Sequence, residues 1–401
     1  MSHYNSIIVQ MKISGPIYKR HFGIIAPLFR RNKLNAHLDT IYDCTEKLLL
    51  RWRNYNNDST KVHLNMIEQS QQLLLAIFGY VAFDYDLQTL DDEYNSNKNQ
   101  LTQAFHDHLQ AAVVCIQLPT ILARLYLLLS LRYRRSIATI NRHLERMIEQ
   151  ELRQTPETRA QRKRTSLIAS LVDSLQSDEI LEETKSEENK KGLSRDEVIG
   201  EMISLLSAGY GTTATALVWL IFHLSKHPTV QNKLKKELHQ YGQQRLSPEQ
   251  LDSLVYLDCV LRESLRFTPP NPGTLRTLVA DDQLPATGAH LKKGDQVMVP
   301  FYNLNRDERY CPGSTDPNQF HPERFLNENN DNTKKLVPMT FGGGHRQCIG
   351  QDFARLELKA ICARLMQHVS FADGGDKLNA GGYKQMDTIL PRHIGVTITF
   401  D

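Results

Sequence analysis

The sequence predicts a mostly α-helical fold with a small β region, and three observations carry that expectation. Apolar residues recur at helical spacing through about residue 270. The stretch from Thr274 to Pro300, TLRTLVADDQLPATGAHLKKGDQVMVP, breaks into short β-branched runs between turn formers, as hairpins do. Helical spacing then returns after residue 350. No repeat or linker divides these textures, so residues 1–401 read as a single domain. With 40% hydrophobic and 23% charged residues, 21 Gly and 16 Pro, the chain has the balance of an ordinary globular protein, which excludes disorder and fibre. Lys and Arg number 48 against 45 Asp and Glu, and a net charge of +3 is too small to attract a polyanion; no nucleic-acid partner is expected.

Taken in order, the beginning, MSHYNSIIVQMKISG, has no basic stretch followed by an apolar run, so neither a signal peptide nor a membrane anchor is read there. Leu109 to Leu131, LQAAVVCIQLPTILARLYLLLSL, is apolar but interrupted by Gln117, Pro119 and Arg124, which argues against spanning a bilayer. It reads as two buried helices broken at Pro119, with a membrane-touching surface as the alternative. The basic run RYRRSIATINRHLERMIEQELRQTPETRAQRKR and the mostly acidic DEILEETKSEENKK read as solvated helix faces and a mobile charged loop. Val230, Leu234 and Leu238 recur every four residues with lysines between them, an amphipathic surface helix. The cysteines Cys44, Cys115, Cys259, Cys311, Cys348 and Cys362 lack the paired spacing of a zinc ribbon or redox dithiol and suggest a reducing compartment.

The most informative segment is FGGGHRQCIG, Phe341 to Gly350. Glycines around one cysteine let the backbone approach something flat and bulky, because no Cβ atoms intervene. The following QDFARLELKAICARLMQHV is helical, with Phe353, Leu356, Ile361 and Leu365 on one apolar face, so Cys348 precedes a helix N-terminus. Unpaired N–H groups and the dipole there favour a thiolate, and Arg346 adds a cation. A buried inert thiol and a cysteine nucleophile with a histidine base are the alternatives, His345 being adjacent but aimed elsewhere. A haem iron, which needs one axial thiolate and a flat pocket, is the more economical reading.

This segment resembles the haem-binding loop of the cytochrome P450 haem-thiolate monooxygenases at every fixed position: Phe341, Gly344, Arg346, Cys348 and Gly350. Three further matches follow. LRESLR places Glu263 and Arg266 three apart on a helix, and HPERF supplies Arg324, so the resemblance implies a buried Glu–Arg–Arg network behind the haem loop. EMISLLSAGYGTTATALVWLIFHLSKHP is similar to the long helix crossing the oxygen-binding face. There the threonine at the position of Thr212, with Thr213 beside it, orders water and delivers protons to the reacting oxygen. Gly209 and Gly211 are poor helix residues, about 1 kcal/mol each relative to alanine, and imply local widening or close approach of a ligand. Gly211 also departs from the family, which carries an acid there. The third match, GPIYKRHFGIIAPLFRRNKL, is similar to the helix at the propionate edge, with Tyr18 and Phe22 in place of the usual Trp and Arg.

The resemblance implies a P450 fold that lacks its N-terminal anchor, first helices and part of the β-sheet, with haem b as cofactor and Cys348 as axial ligand of the iron. Arg20, His21, Arg276 and Arg346 are expected near the propionates, and Lys19, Arg20, Arg30, Arg31 and Arg355 as a basic patch for an electron donor. Substrate contacts are expected from Leu205, Ala208, Gly209, Leu275 and Ile389. The implied activity is insertion of one oxygen atom from O2 into an apolar, lipid-like or xenobiotic molecule. Electrons would come from NADPH-cytochrome P450 reductase, at the cytosolic face of the endoplasmic reticulum membrane. A haem-thiolate isomerase that rearranges peroxides, and a non-catalytic haem binder, are the alternatives.

Overall fold

The computed structural model describes residues 15–55, 61–90, 100–162, 166–175, 182, 184–311, 315–326, 338–385 and 388–401. The first fourteen residues, read above for a targeting signal, lie outside these, as does part of the acidic loop. The longer helices are α1 (Gly15–Ile25), α2 (Leu38–Tyr55), α3 (Met66–Phe83), α4 (Gln100–Gln117), α5 (Thr120–Leu129), α6 (Leu131–Leu152), α7 (Arg195–Lys226), α8 (Pro228–Leu238), α9 (Val255–Phe267) and α10 (Gln351–Met366). The strands are short. β1 (Val62–His63), β9 (Val396–Phe400) and β6 (Val369–Asp373) form an antiparallel sheet in that order. Between Thr274 and Pro300 the expected hairpins are nested: β2 (Thr274–Thr277) pairs with β5 (Gln296–Val299), and β3 (Asp282–Gln283) with β4 (His290–Leu291) inside them. β7 (Tyr383–Gln385) pairs with β8 (Ile389–Pro391).

Local chemistry sets the boundaries. Ser194 and Glu197 form a reciprocal capping box that starts α7, satisfying backbone N–H groups that a helix end otherwise leaves open. Pro119 ends α4 and stands at the N-cap of α5; Ser130 caps α6 by accepting from the Tyr133 N–H. α8 begins at Pro228, where the missing N–H costs nothing, and buries Val230, Leu234 and Leu238 as the spacing predicts.

The central helix α7 packs across α3, whose Leu73, Leu74, Leu75 and Ile77 are fully buried. α7 is long and apolar enough to cross a membrane, but 72% of its most apolar window is buried inside the protein, as in a core helix. One expectation is corrected here. α5 is not buried: Ile121 is 81% exposed and Leu129 70%, and Leu122, Leu125 and Leu128 also face outward, while Ala123 and Leu127 are buried with Tyr126 packed beside them. Ten residues of nearly unbroken apolarity have no inward-only face, so the helix buries one stripe and leaves the rest bare.

The glycines of α7 have different causes. A Cβ at Gly209 would lie 2.2 Å from the Phe78 ring of α3, which itself packs against Phe83 and, at 6.1 Å between centroids, Phe353 of α10. The close approach at Gly209 is therefore made by an aromatic side chain of the protein's own core. A Cβ at Gly211 would meet nothing within 4 Å. Opposite outcomes are expected in denaturant titration. Gly209→Ala overpacks against a confined ring and loses about 1–3 kcal/mol, whereas Gly211→Ala gains up to about 1 kcal/mol of helix propensity.

Candidate functional site

Two adjoining cavities, of about 290 and 490 Å³, open between α7 and the Cys348 loop. Both are lined by Leu205, Ala208 and Thr212 from α7, Asn271 from the segment after α9, and Arg346, Cys348 and Ile349 from the loop. Thr213, Gly209 and Phe341 line the smaller one. A thiol on one wall thus faces a helix carrying a threonine on the other, across a mostly apolar gap of the size that holds small molecules and cofactors.

The loop is built to leave that gap open. Gly342 and Gly344 have φ of +72° and +70°, conformations that a side chain disfavours. The loop closes on itself through the Cys348 N–H, which donates to Phe341 O at 2.9 Å. Gly350, not Cys348, is the N-cap of α10, so the sulfur stands outside the helix end. Loss of hydration pushes the Cys348 thiol up, and its hydrogen bond with the Gly350 N–H opposes that shift. The residues nonetheless fit a haem: a sulfur donor in a slot, glycines where a Cβ would intrude, and the cations of Arg276 and Arg346 at the lining.

Behind the loop, Glu263, Arg266 and Arg324 meet as expected. Glu263 Oε2 accepts from Arg266 Nε at 2.7 Å, and Oε1 accepts from Arg266 Nη2 at 2.8 Å and Arg324 Nε at 3.1 Å. The Glu263 and Arg266 side chains are 0% exposed and that of Arg324 is 2%. Most of the remaining donors go to main chain: Arg266 Nη1 to Asn305 O and Pro317 O, both 2.8 Å, and Arg324 Nη2 to Asp316 O and Gln319 O, while Arg324 Nη1 reaches Cys311 Sγ and Thr315 O. Asn305 Oδ1 accepts from the Met339 N–H at 2.8 Å, and Thr340 Oγ1 donates to Leu265 O at 2.9 Å. An unbroken set of bonds thus joins α9 to the residues just before the cysteine loop.

Several expected site residues lie elsewhere. Arg20 donates to Glu197 at 2.7 Å, Glu187 at 3.1 Å and Gly192 O at 2.6 Å; its side chain is 5% exposed, so it is neither at the cavity nor in a basic surface patch. His21 does line the larger cavity, yet its Nδ1 lies 2.6 Å from Glu201 and its Nε2 3.3 Å from Glu197, so both nitrogens are occupied. Leu275 is 58% exposed: side chains alternate along β2, and Thr274 and Arg276 take the cavity side. Ile389 is buried away from both cavities, accepting from Trp219 Nε1 through its carbonyl, and Thr388 lines the larger cavity instead. Arg31 pairs with Asp252, and Arg355 stacks over Phe341. Thr212 Oγ1 donates to Ala208 O at 2.8 Å, within its own helix.

Three site features escaped sequence reasoning. Glu357, on the core face of α10, lines the smaller cavity with neither carboxylate oxygen hydrogen-bonded, and burial pushes its pKa well above the usual range. Ser204 and Ser207 line the larger cavity with buried, unpartnered hydroxyls, a cost of about 1–3 kcal/mol each when nothing satisfies them. A polar residue recurring on the core face of an apolar helix is the signal that could have found all three.

Compared with known proteins, residues 14–382 match the family model described as Cytochrome P450. Cytochrome P450 3A14 of Cavia porcellus is 28% identical over 361 residues, covering 88% of this chain and 68% of the relative. Cytochrome P450 3A7 of Homo sapiens is 28% identical over 360 residues, with the same coverage. Cytochrome P450 monooxygenase 205 of Postia placenta is 27% identical over 389 residues, 90% of this chain and 70% of the relative.

Two measurements check this site. Glu263→Ala leaves two buried guanidinium groups uncompensated, and equilibrium unfolding is expected to lose about 3–5 kcal/mol. Burial opposes protonation of His21, but its hydrogen bonds to Glu197 and Glu201 and their charge outweigh it and raise the pKa from 6.5 to about 9. The native state therefore holds a proton that the unfolded chain releases first. This stabilisation is complete below pH 6.5 and disappears as the pH climbs to about 9. Thermal midpoints should fall across that window, and His21→Gln should flatten this part of the profile.

Proposed function

The chain belongs to the cytochrome P450 family, and on that premise we propose that it oxidises an apolar small molecule, lipid-like or xenobiotic, with electrons from NADPH-cytochrome P450 reductase. Membership makes it a haem-dependent monooxygenase that uses O2 and a redox partner. The observation that carries the finer reading is the juxtaposition of Cys348 with Ala208 and Thr212 across a slot whose other walls are largely apolar.

Cys348 would hold haem b through Sγ, and the bound haem supplies the oxygen-activating redox chemistry, with sulfur donating electron density to it. Arg276 and Arg346 supply cations for its carboxylates, while Phe341, Gly344 and Gly350 shape the loop beneath it. Thr212 and Thr213 stand on the opposite wall. The Thr212 hydroxyl, now donating to Ala208 O, must turn toward the slot or bind water there to move a proton to reacting oxygen. Gly211 contributes no carboxylate to that task, which favours a second reading, rearrangement of a peroxide substrate without reductase. Apolar residues of α7 and Pro270 exclude water and receive the substrate. The exposed leucines of α5 support a peripheral contact with the cytosolic face of the endoplasmic reticulum membrane.

The expected outcome is a red-shifted carbon monoxide band in the reduced holoprotein, absent from Cys348→Ser at equal haem content. A colourless wild-type protein would sink the reading. Turnover with NADPH and reductase, compared with turnover on an organic hydroperoxide alone, separates oxygen insertion from peroxide rearrangement.

A further inference from the structure

α5 and the first turns of α6 carry an apolar surface that no described part of the chain covers, and its charges are as distinctive as its leucines. Leu131, which opens α6, extends the bare face of α5 at 63% exposure. Arg124 stands inside that face, three residues after Ile121 and four before Leu128. Arg134, Arg135 and Arg142 follow on the exposed side of α6, away from its buried stripe of Tyr133, Ser136, Ile140 and Leu144. Not one Asp or Glu occurs between Asp107 and Glu145. Asp107 itself is taken by Arg132 at 2.6 Å, and among the described residues no carboxylate pairs with Arg124, Arg134, Arg135 or Arg142. These cations are therefore open to an anion from outside the chain.

We propose that this surface binds a bilayer rich in anionic phospholipid, with the leucines of α5 among the acyl chains and Arg124, Arg134, Arg135 and Arg142 on the headgroup phosphates. The inference rests on the peripheral membrane contact already proposed and names the lipid that the contact selects. A leucine-rich helix lying in the interface buries its apolar side while long cationic side chains stretch out to the phosphates. Each cation close to an anionic leaflet strengthens binding about fivefold, and no acid on this stretch cancels the gain. A second copy of the chain is a poorer occupant. In a two-fold contact the face would meet itself and set these arginines against one another.

The test uses holoprotein sedimented with vesicles of two compositions, phosphatidylcholine alone and phosphatidylcholine with about one-third phosphatidylserine. Wild type is expected to bind the anionic vesicles about a hundredfold more tightly, and to lose most of that advantage at about 1 M salt, where screening acts within about 3 Å. The quadruple variant Arg124→Gln, Arg134→Gln, Arg135→Gln and Arg142→Gln is expected to bind both vesicles alike. A control that removes the same charge from exposed lysines elsewhere, Lys236→Gln, Lys292→Gln, Lys293→Gln and Lys377→Gln, is expected to keep the preference. Leu125→Ser with Leu129→Ser should weaken binding to both vesicles. Equal wild-type affinities, a preference that survives the arginine substitutions, or one lost equally with the lysines would each overturn the proposal and leave membrane contact standing. Failure to bind either vesicle would remove both readings, and a dimer that Leu129→Ser dissolves would then assign the face to a second copy.

Discussion

Everything at the site depends on a carboxylate that water never reaches. Glu263 is fully buried, and its charge is tolerable because two guanidinium groups and the His321 N–H surround it in hydrogen-bonding geometry. Those guanidinium groups have more donors than one carboxylate can accept, and the surplus fastens five main-chain carbonyls between Asn305 and Gln319. Asn305 passes the constraint on to Met339, two residues before Phe341. A segment poor in secondary structure is thereby held by side chains of one helix, and the cysteine loop inherits its position. Buried ions are a costly way to gain stability, but they are directional, and direction is what an irregular loop above a ligand slot requires.

How much of this was legible follows from the kind of signal each residue sends. Cys348 and its glycines were legible because a loop that must pass close to a flat group cannot hide its composition. The Glu263–Arg266 pair was legible through its spacing and Arg324 through resemblance, and the fold brings all three together. The helices followed from periodicity and the hairpins from turn formers, whereas the nesting of β3 and β4 inside β2 and β5 did not. Long-range placement was not legible. Nothing in the order of letters distinguishes Arg20 facing a haem carboxylate from Arg20 facing Glu197, because its partner is 177 positions away. Leu275 and Arg276 were both assigned to the site, although adjacent strand residues must face opposite ways. α5 was read as buried from its apolarity, yet burial depends on what neighbours exist to cover it.

α7 carries three duties along its 32 residues. Its first turn, through Glu197, caps the helix and anchors α1. Burial opposes charge there, yet His21, Arg20 and the Ser194 N–H together hold Glu197 well below the usual carboxylate range. Its middle faces the cavities, and its last third is core, with Val218 and Leu220 almost fully buried. Thr212 and Thr215 of the middle are satisfied by carbonyls one turn back, Ala208 O and Gly211 O.

Phe78 keeps two helices apart. Its ring sits against Gly209 on one side and Phe353 on the other, and so acts as a shim between the helix above the slot and the helix that follows the sulfur loop. The clearance offered to a planar guest is then inherited from the thickness of one benzene ring rather than from the backbone. Phe78 itself lines the smaller cavity, so headroom in such an enzyme can be retuned at that wall, by swapping the spacer while leaving every reacting group untouched.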